Sequence, residues 1–256
     1  MSRLEPDFRP VLAQAAELAG DDVHVWLVDL NPGDEQIRAY RETLSADEHE
    51  RAERFYFERD RRRFVVARGA LRAIVGGYLR IEPAALEFEY GGRGKPAIAA
   101  RVGRPLAFNV SHSGELALIA CSPCGDLGVD IEEMRLLDDA DEIAAQFFSE
   151  REVATLRSLP SGSRNEAFFR CWTRKEAYVK AVGDGLSRPL DAFDVTFAPG
   201  DAAALTIGGD DDDTRHWALY ALDVPRGYAG ALVTDGPRRV SGWRYAPAVD
   251  YQEQMI

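Results

Sequence analysis

Lysine is almost missing from this chain. Of 31 Lys and Arg residues in 256, only three are lysine: Lys95, Lys175 and Lys180. Lysine is a compact, flexible point charge and arginine a planar fork, so a chain this biased toward arginine keeps lysine where the fork will not serve. Cysteine is scarce too. Cys121 and Cys124 form a C-x-x-C with no second pair to complete a zinc site and no helix pattern behind it. Packing or turn cysteines, and a disulfide-free intracellular protein, are the expectation. No apolar run approaches the roughly 18 residues of a membrane span. The N-terminus has no basic start followed by an apolar stretch, so a cytoplasmic location is expected. A net charge of −12 argues against nucleic-acid binding, which wants a basic surface. It leaves room for a local basic pocket.

What is present is an ordinary core-forming composition, 46% hydrophobic and 29% charged, enough for one large domain or two small ones. Val23–Leu30 is apolar and β-branched and reads as a strand. Ser45 to Glu48 has the spacing of a capping box, with a helix running on toward Phe57. A second helix starts near Arg61, and Gly76-Gly77 is expected to weaken or end it. Short strands at 86–90 and 97–99 flank Gly91–Pro96. Leu106–Val110 and Leu116–Cys121 read as a hairpin with Ser111-His112-Ser113-Gly114-Glu115 at its tip.

The same order then returns. Asp126–Ile131 is a strand and Ser149 to Glu152 another capping box. Asn165–Val182 is a long helix, Ala192–Phe197 a strand, and Trp217–Leu222 with Tyr228–Val233 a closing hairpin. The repeat, at an offset of about 105 residues, predicts an α+β fold of two similar lobes, 1–123 and 124–256. Each would carry a small antiparallel sheet packed on helices, with a ligand site between the lobes. Asp210–Asp213 reads as a solvated loop. The tail after Trp243 has no periodic pattern.

Four segments carry chemistry. Trp172, Glu176 and Lys180 stand at i, i+4 and i+8 on one helix face. A carboxylate and an ammonium one turn apart suit a metal-bound phosphate, or form a plain surface pair. Asp130 and Glu132 alternate onto one side of their strand. They form either a solvated acidic turn or, with Glu176, an oxygen-only site suited to Mg²⁺. Ser111-His112-Ser113 offers hydroxyls and an imidazole to a phosphate, or stabilises its own turn. No G-x-S-x-G elbow accompanies the serines. Gly91–Pro96 is not a P-loop, since the spacing is wrong and proline follows the lysine, but it can bring Arg93 and Lys95 to an anion. Arg61-Arg62-Arg63 is a solvated basic face or a local positive spot.

Together Gly94-Lys95-Pro96, Phe108-Asn109-Val110-Ser111-His112-Ser113, Gly128-Val129-Asp130-Ile131-Glu132, Trp172–Lys180 and Gly183-Asp184-Gly185-Leu186 resemble, in order and spacing, the 4'-phosphopantetheinyl transferases of the surfactin-synthetase-activating type. The resemblance covers most of the chain. It implies a pseudo-twofold monomer, coenzyme A as donor and a serine of an apo acyl or peptidyl carrier protein as acceptor. It implies that Asp130, Glu132 and Glu176 hold Mg²⁺ on the pyrophosphate and that Lys180 contacts the phosphates. Lys95, Ser111, His112, Arg63 and, more loosely, Arg51 would bind the adenosine end. Glu176 is the candidate base for the serine proton. Glu133 adds a third acid beside the pair, and Met134–Phe148 is the expected carrier surface. A coenzyme A or nucleotide sensor and a Mg²⁺-dependent pyrophosphate hydrolase are the rival readings.

Overall fold

The computed structural model describes residues 9–11, 17–91, 96–100, 105–183, 188–207 and 216–246. Two sheets organise them. The first takes β2 (Asp22–Asp29), β5 (Ala107–Ser113), β6 (Leu116–Ser122), the short β1 (Arg9–Val11) and the last strand, β12 (Arg239–Tyr245), in the order β1-β12-β2-β6-β5. The second is β10 (Ala218–Ala221), β11 (Tyr228–Thr234) and β7 (Leu127–Glu133), antiparallel throughout. Two-stranded ribbons, β3 (Phe88–Tyr90) with β4 (Pro96–Ile98) and β8 (Phe193–Val195) with β9 (Leu205–Ile207), complete the strands described.

Strand alternation builds three layers of core. Trp26 and Val28 of β2, with Leu30 just beyond it, face α1 (Asp34–Glu42), α2 (Ala46–Glu53) and the long α3 (Glu58–Leu79). Val23, Val25 and Leu27 of the same strand turn the other way, onto Leu127, Val129 and Ile131 of β7 and Leu232 of β11. The first sheet is therefore covered on both faces, and this middle layer joins the halves. The third core packs the second sheet on α4 (Ala140–Phe147), α5 (Glu150–Ser158) and α6 (Ser161–Val182). No helix among the described residues is long and apolar enough to cross a membrane.

The duplication expected from the sequence has a physical signature. Glu48, the capping-box acid of α2, accepts from the Ser45 backbone N–H and binds Arg72 of α3 at 2.6 Å, both side chains being 1% exposed. Arg72 also donates to the carbonyls of Pro83 and Leu86, 2.9 Å each. In the second half Glu152 accepts from the Ser149 N–H and pairs with Lys175 of α6 at 2.7 Å. Lys175 donates to the carbonyls of Leu190 and Phe193, 2.6 Å each. In both halves a buried cation on the long helix ties a capping-box glutamate to the segment that follows.

Several expectations change. Gly76-Gly77 does not end α3, which continues to Leu79 and stops at Arg80 in the left-handed region. A Cβ at Gly76 would lie 2.5 Å from the Ile81 carbonyl oxygen, so the glycine admits the returning chain rather than breaking the helix. The serine segment is strand, not tip; the turn falls on Gly114 at φ 57°. Of the tail after Trp243, residues 247–256 lie outside the described residues, but a strand that was not expected forms at Arg239–Tyr245. It is β12, parallel to both β1 and β2, with Val240 on the middle layer and Trp243 and Tyr245 against the first core. Lys95 and Asp210–Asp213 lie outside the described residues.

Removing the cation from the second buried pair tests its weight. Lys175→Met strands Glu152 without its counter-charge and should cost about 3–5 kcal/mol in urea unfolding. The double variant with Glu152→Gln should recover part of that loss. Equal stability of Lys175→Met and the parent protein would contradict the structural role.

Candidate functional site

The site forms where the edge strand of one sheet meets the edge strand of the other. β5 and β7 are joined there by side chains of alternate β5 residues. Asn109 Oδ1 accepts from the Val129 N–H at 3.0 Å. Ser111 Oγ donates to Asp130 Oδ1 at 2.7 Å, and Ser113 Oγ donates to Glu132 Oε2 at 2.7 Å. Period-two geometry puts all three on one side of β5, and His112 points away from them.

Helix α6 closes this seam from the other direction, and Gly128 permits its approach. A Cβ there would come within 2.2 Å of the Ala177 carbonyl and 2.3 Å of the Ala181 nitrogen. With hydrogen in its place, β7 lies on the helix backbone. Lys180 Nζ then reaches Asp130 Oδ1 at 2.6 Å and Ser111 Oγ at 2.9 Å.

The electrostatics centre on three acids. Asp130 is 3% exposed, and its second oxygen, Oδ2, has no hydrogen-bond partner. Burial raises its pKa, against the pull of Lys180 and Ser111. Glu132 and Glu176, both half-buried, are also raised, first by desolvation and then by the neighbouring acids, Asp130 acting on both. The Ser113 hydrogen bond and the charge of Lys180 oppose this at Glu132. His112 is held below the usual imidazole range by desolvation, then by the cations Lys180 and Arg63.

Oxygen-only donors, mutual repulsion and an orphaned buried carboxylate oxygen fit a hard divalent cation. Among the described residues, no three Asp, Glu, His or Cys side chains already converge to metal-ligand spacing.

A cleft of about 620 Å³ opens beside the acids. Arg63 lines it with Arg59, Glu132 and Arg135 on the polar side, and Phe168 and Trp172 of α6 on the apolar side. Arg63 stands 3.8 Å from Glu115. Arg51 does not join this group in any contact described. Its guanidinium lies over the rings of Phe64 and Tyr90, 5.7 and 5.6 Å from their centroids. The sequence assigned Asn109 no role and offered Ser113 to a phosphate rather than to Glu132, although alternation with Ser111 marks both as facing β7. Cys121 and Cys171 are buried, Cys124 is exposed, and all three are free.

Comparison with known proteins gives the family. Residues 126–233 match the model of the 4'-phosphopantetheinyl transferase superfamily, and residues 29–124 match that of the 4'-phosphopantetheinyl transferase N-terminal region. The chain is 44% identical over 228 residues to the 4'-phosphopantetheinyl transferase HetI of Nostoc sp., covering 89% of this chain and 92% of that one. It is 30% identical over 204 residues to the 4'-phosphopantetheinyl transferase Sfp of Bacillus subtilis, covering 79% and 87%. A solved holo-(acyl-carrier-protein) synthase from Bacillus anthracis overlaps 43% of this chain and 93% of its own at 22% identity, with a TM-score of 0.37, too loose an overlay to carry an argument. The chain belongs to the 4'-phosphopantetheinyl transferase superfamily.

The raised carboxylates predict a pH signature. An acid whose folded pKa lies above its unfolded value adds stability below the unfolded pKa and loses it as pH rises through the folded one. At neutral pH the clustered charges therefore destabilise the metal-free protein. Glu176→Gln should raise its Tm at pH 7.5 by about 2–4 °C. That gain should vanish as pH falls below the ordinary glutamate range. Calorimetry across pH in chelator checks both, and a Tm that drops at pH 7.5 would contradict the repulsion.

Proposed function

We propose that this protein transfers the 4'-phosphopantetheine group of coenzyme A to a serine of an apo acyl or peptidyl carrier protein. The observation that carries the reading is the meeting of Asp130, Glu132, Glu176 and Lys180 at the β5–β7–α6 seam beside an arginine-lined cleft. Family membership supplies the reaction class.

In this reading Arg63 and His112 receive the phosphorylated adenosine end, with Lys95 and Arg51 as further contacts. Ser111 takes part through its bond to Lys180. Asp130, Glu132 and Glu176 would hold Mg²⁺, which neutralises charge on the pyrophosphate oxygens. Lys180, anchored between Asp130 and Ser111, presents its ammonium to the phosphates. The carrier serine Oγ attacks the pantetheine-side phosphorus, a new P–O bond forms, and the bond to the leaving phosphate breaks to release 3',5'-ADP. The serine proton passes to the Glu176 carboxylate. Apart from β12, which returns to the first sheet, the lobes divide near residue 123, and the protein acts as a monomer.

The carrier would dock on Met134–Phe148. Leu136 is 90% exposed there, and Phe147 stands at its end packed edge-on to Trp172. An apolar anchor suits docking between two acidic surfaces, where charge would repel.

Intact-mass spectrometry of apo carrier proteins with coenzyme A and Mg²⁺ tests the reading. A gain of one phosphopantetheine, abolished by chelator, is expected. Release of 3',5'-ADP without a carrier would favour the hydrolase reading, and binding without any turnover the sensor. Leu136→Asp should raise the carrier KM about tenfold while leaving the KM for coenzyme A unchanged. Equal loss of both would remove the docking assignment.

A further inference from the structure

Two glutamates stand side by side at the end of β7, and the hairpin opposite separates their roles. Resting on the proposed magnesium site, we infer that Ser113 is a positioning residue: it fixes Glu132 toward the cation shared with Asp130 and, through the turn it begins, keeps Glu133 out of that site.

The Ser113 hydroxyl makes two bonds. It donates to Glu132 Oε2 at 2.7 Å and accepts from the Glu133 backbone N–H at 3.1 Å. A single-proton hydroxyl used in this way is fully oriented: its proton goes to the carboxylate and a lone pair receives the amide. One Glu132 oxygen is thereby committed to protein. The other is aimed by the same bond, as a second-shell donor aims a metal ligand. Ser111 does the same to Asp130, leaving Oδ2 as the oxygen without a partner. The two serines sit two residues apart on β5 and their acids two residues apart on β7, so the register of one seam sets the spacing of both carboxylates.

Glu133 is held elsewhere. Adjacent strand residues point to opposite faces, and its carboxylate lies against Gly114. A Cβ on that glycine would come within 2.6 Å of both Glu133 Oε2 and the Tyr228 hydroxyl. The Tyr228 hydroxyl in turn accepts from the Glu115 N–H at 3.1 Å. The tight left-handed turn at Gly114 leaves room for the Glu133 carboxylate beside the Tyr228 hydroxyl, at the lining of the cleft it shares with Glu132.

The test measures Mn²⁺ binding by paramagnetic resonance on the full chain with coenzyme A present, beside calorimetric binding of coenzyme A in chelator. Ser113→Ala should weaken Mn²⁺ about tenfold, the scale of lost second-shell bonds, and leave metal-free coenzyme A affinity unchanged. Ser113→Thr should keep Mn²⁺ affinity and Ser113→Val, isosteric with that threonine variant, should not, which separates the hydroxyl from packing. Glu133→Gln should bind Mn²⁺ as the parent does. Parental affinity in both Ser113→Ala and Ser113→Val, or a tenfold loss in Glu133→Gln, would overturn the inference alone. Failure of the parent protein to bind Mn²⁺ with coenzyme A present would overturn the magnesium reading and this inference with it.

Discussion

Everything at the site depends on the contact between the backbone of β7 at Gly128 and the backbone of α6 at Ala177–Ala181. A strand lying this close to a helix has no room for one methyl group. In return, residues two and four positions further along β7 come level with Glu176 and Lys180. Move the strand outward by the thickness of a side chain and Lys180 no longer reaches Asp130, whose burial then goes without a counter-charge. The glycine at the start of the acidic segment is therefore part of the electrostatics, although it carries no charge.

That contact is held from both sides by buried polar bonds. Behind α6, Lys175 fixes the helix to Glu152 and to two carbonyls, with its ammonium 4.3 Å from the centre of the Phe193 ring. In front, Asn109 pins β7 through the Val129 amide. The first half has the Glu48–Arg72 pair in the corresponding place, with Arg68 bonded to the same carboxylate. Where the first half carries arginine the second carries lysine, and both side chains are fully buried. The scarcity of lysine reflects two separate needs along α6: a small buried charge at 175 and a partly exposed one at 180.

Much of this was legible in the sequence because the signals are local. Capping boxes at Ser45 and Ser149, the alternation of Asp130 and Glu132, and the helical spacing of Glu176 and Lys180 need only neighbouring residues to be read. What escaped was non-local or weakly patterned. Helix α1 has only Ile37 and Tyr40 as buried anchors, too few to establish a period. The roles of Asn109 and Ser113 depend on β5 lying beside β7, and strand adjacency is not written in either strand. Gly76-Gly77 misled for the opposite reason. A residue type that usually ends helices serves here for close approach of the chain at Ile81, and the difference lies in what packs nearby.

Strand β12 has a consequence for how the molecule comes into being. It sits between β1 and β2, and Arg239 bonds to Asp22, 217 positions earlier. The Trp243 ring packs tilted on that of Trp26, centroids 5.2 Å apart, against the core of the first sheet. During synthesis the first half emerges long before the strand that fills its sheet. Until then β2 presents an unpaired edge of Val, Trp and Leu, the kind of surface that recruits other chains. Contacts so far apart in sequence also form slowly. The two halves look like copies of one unit, yet the first has to wait for a strand that follows the second.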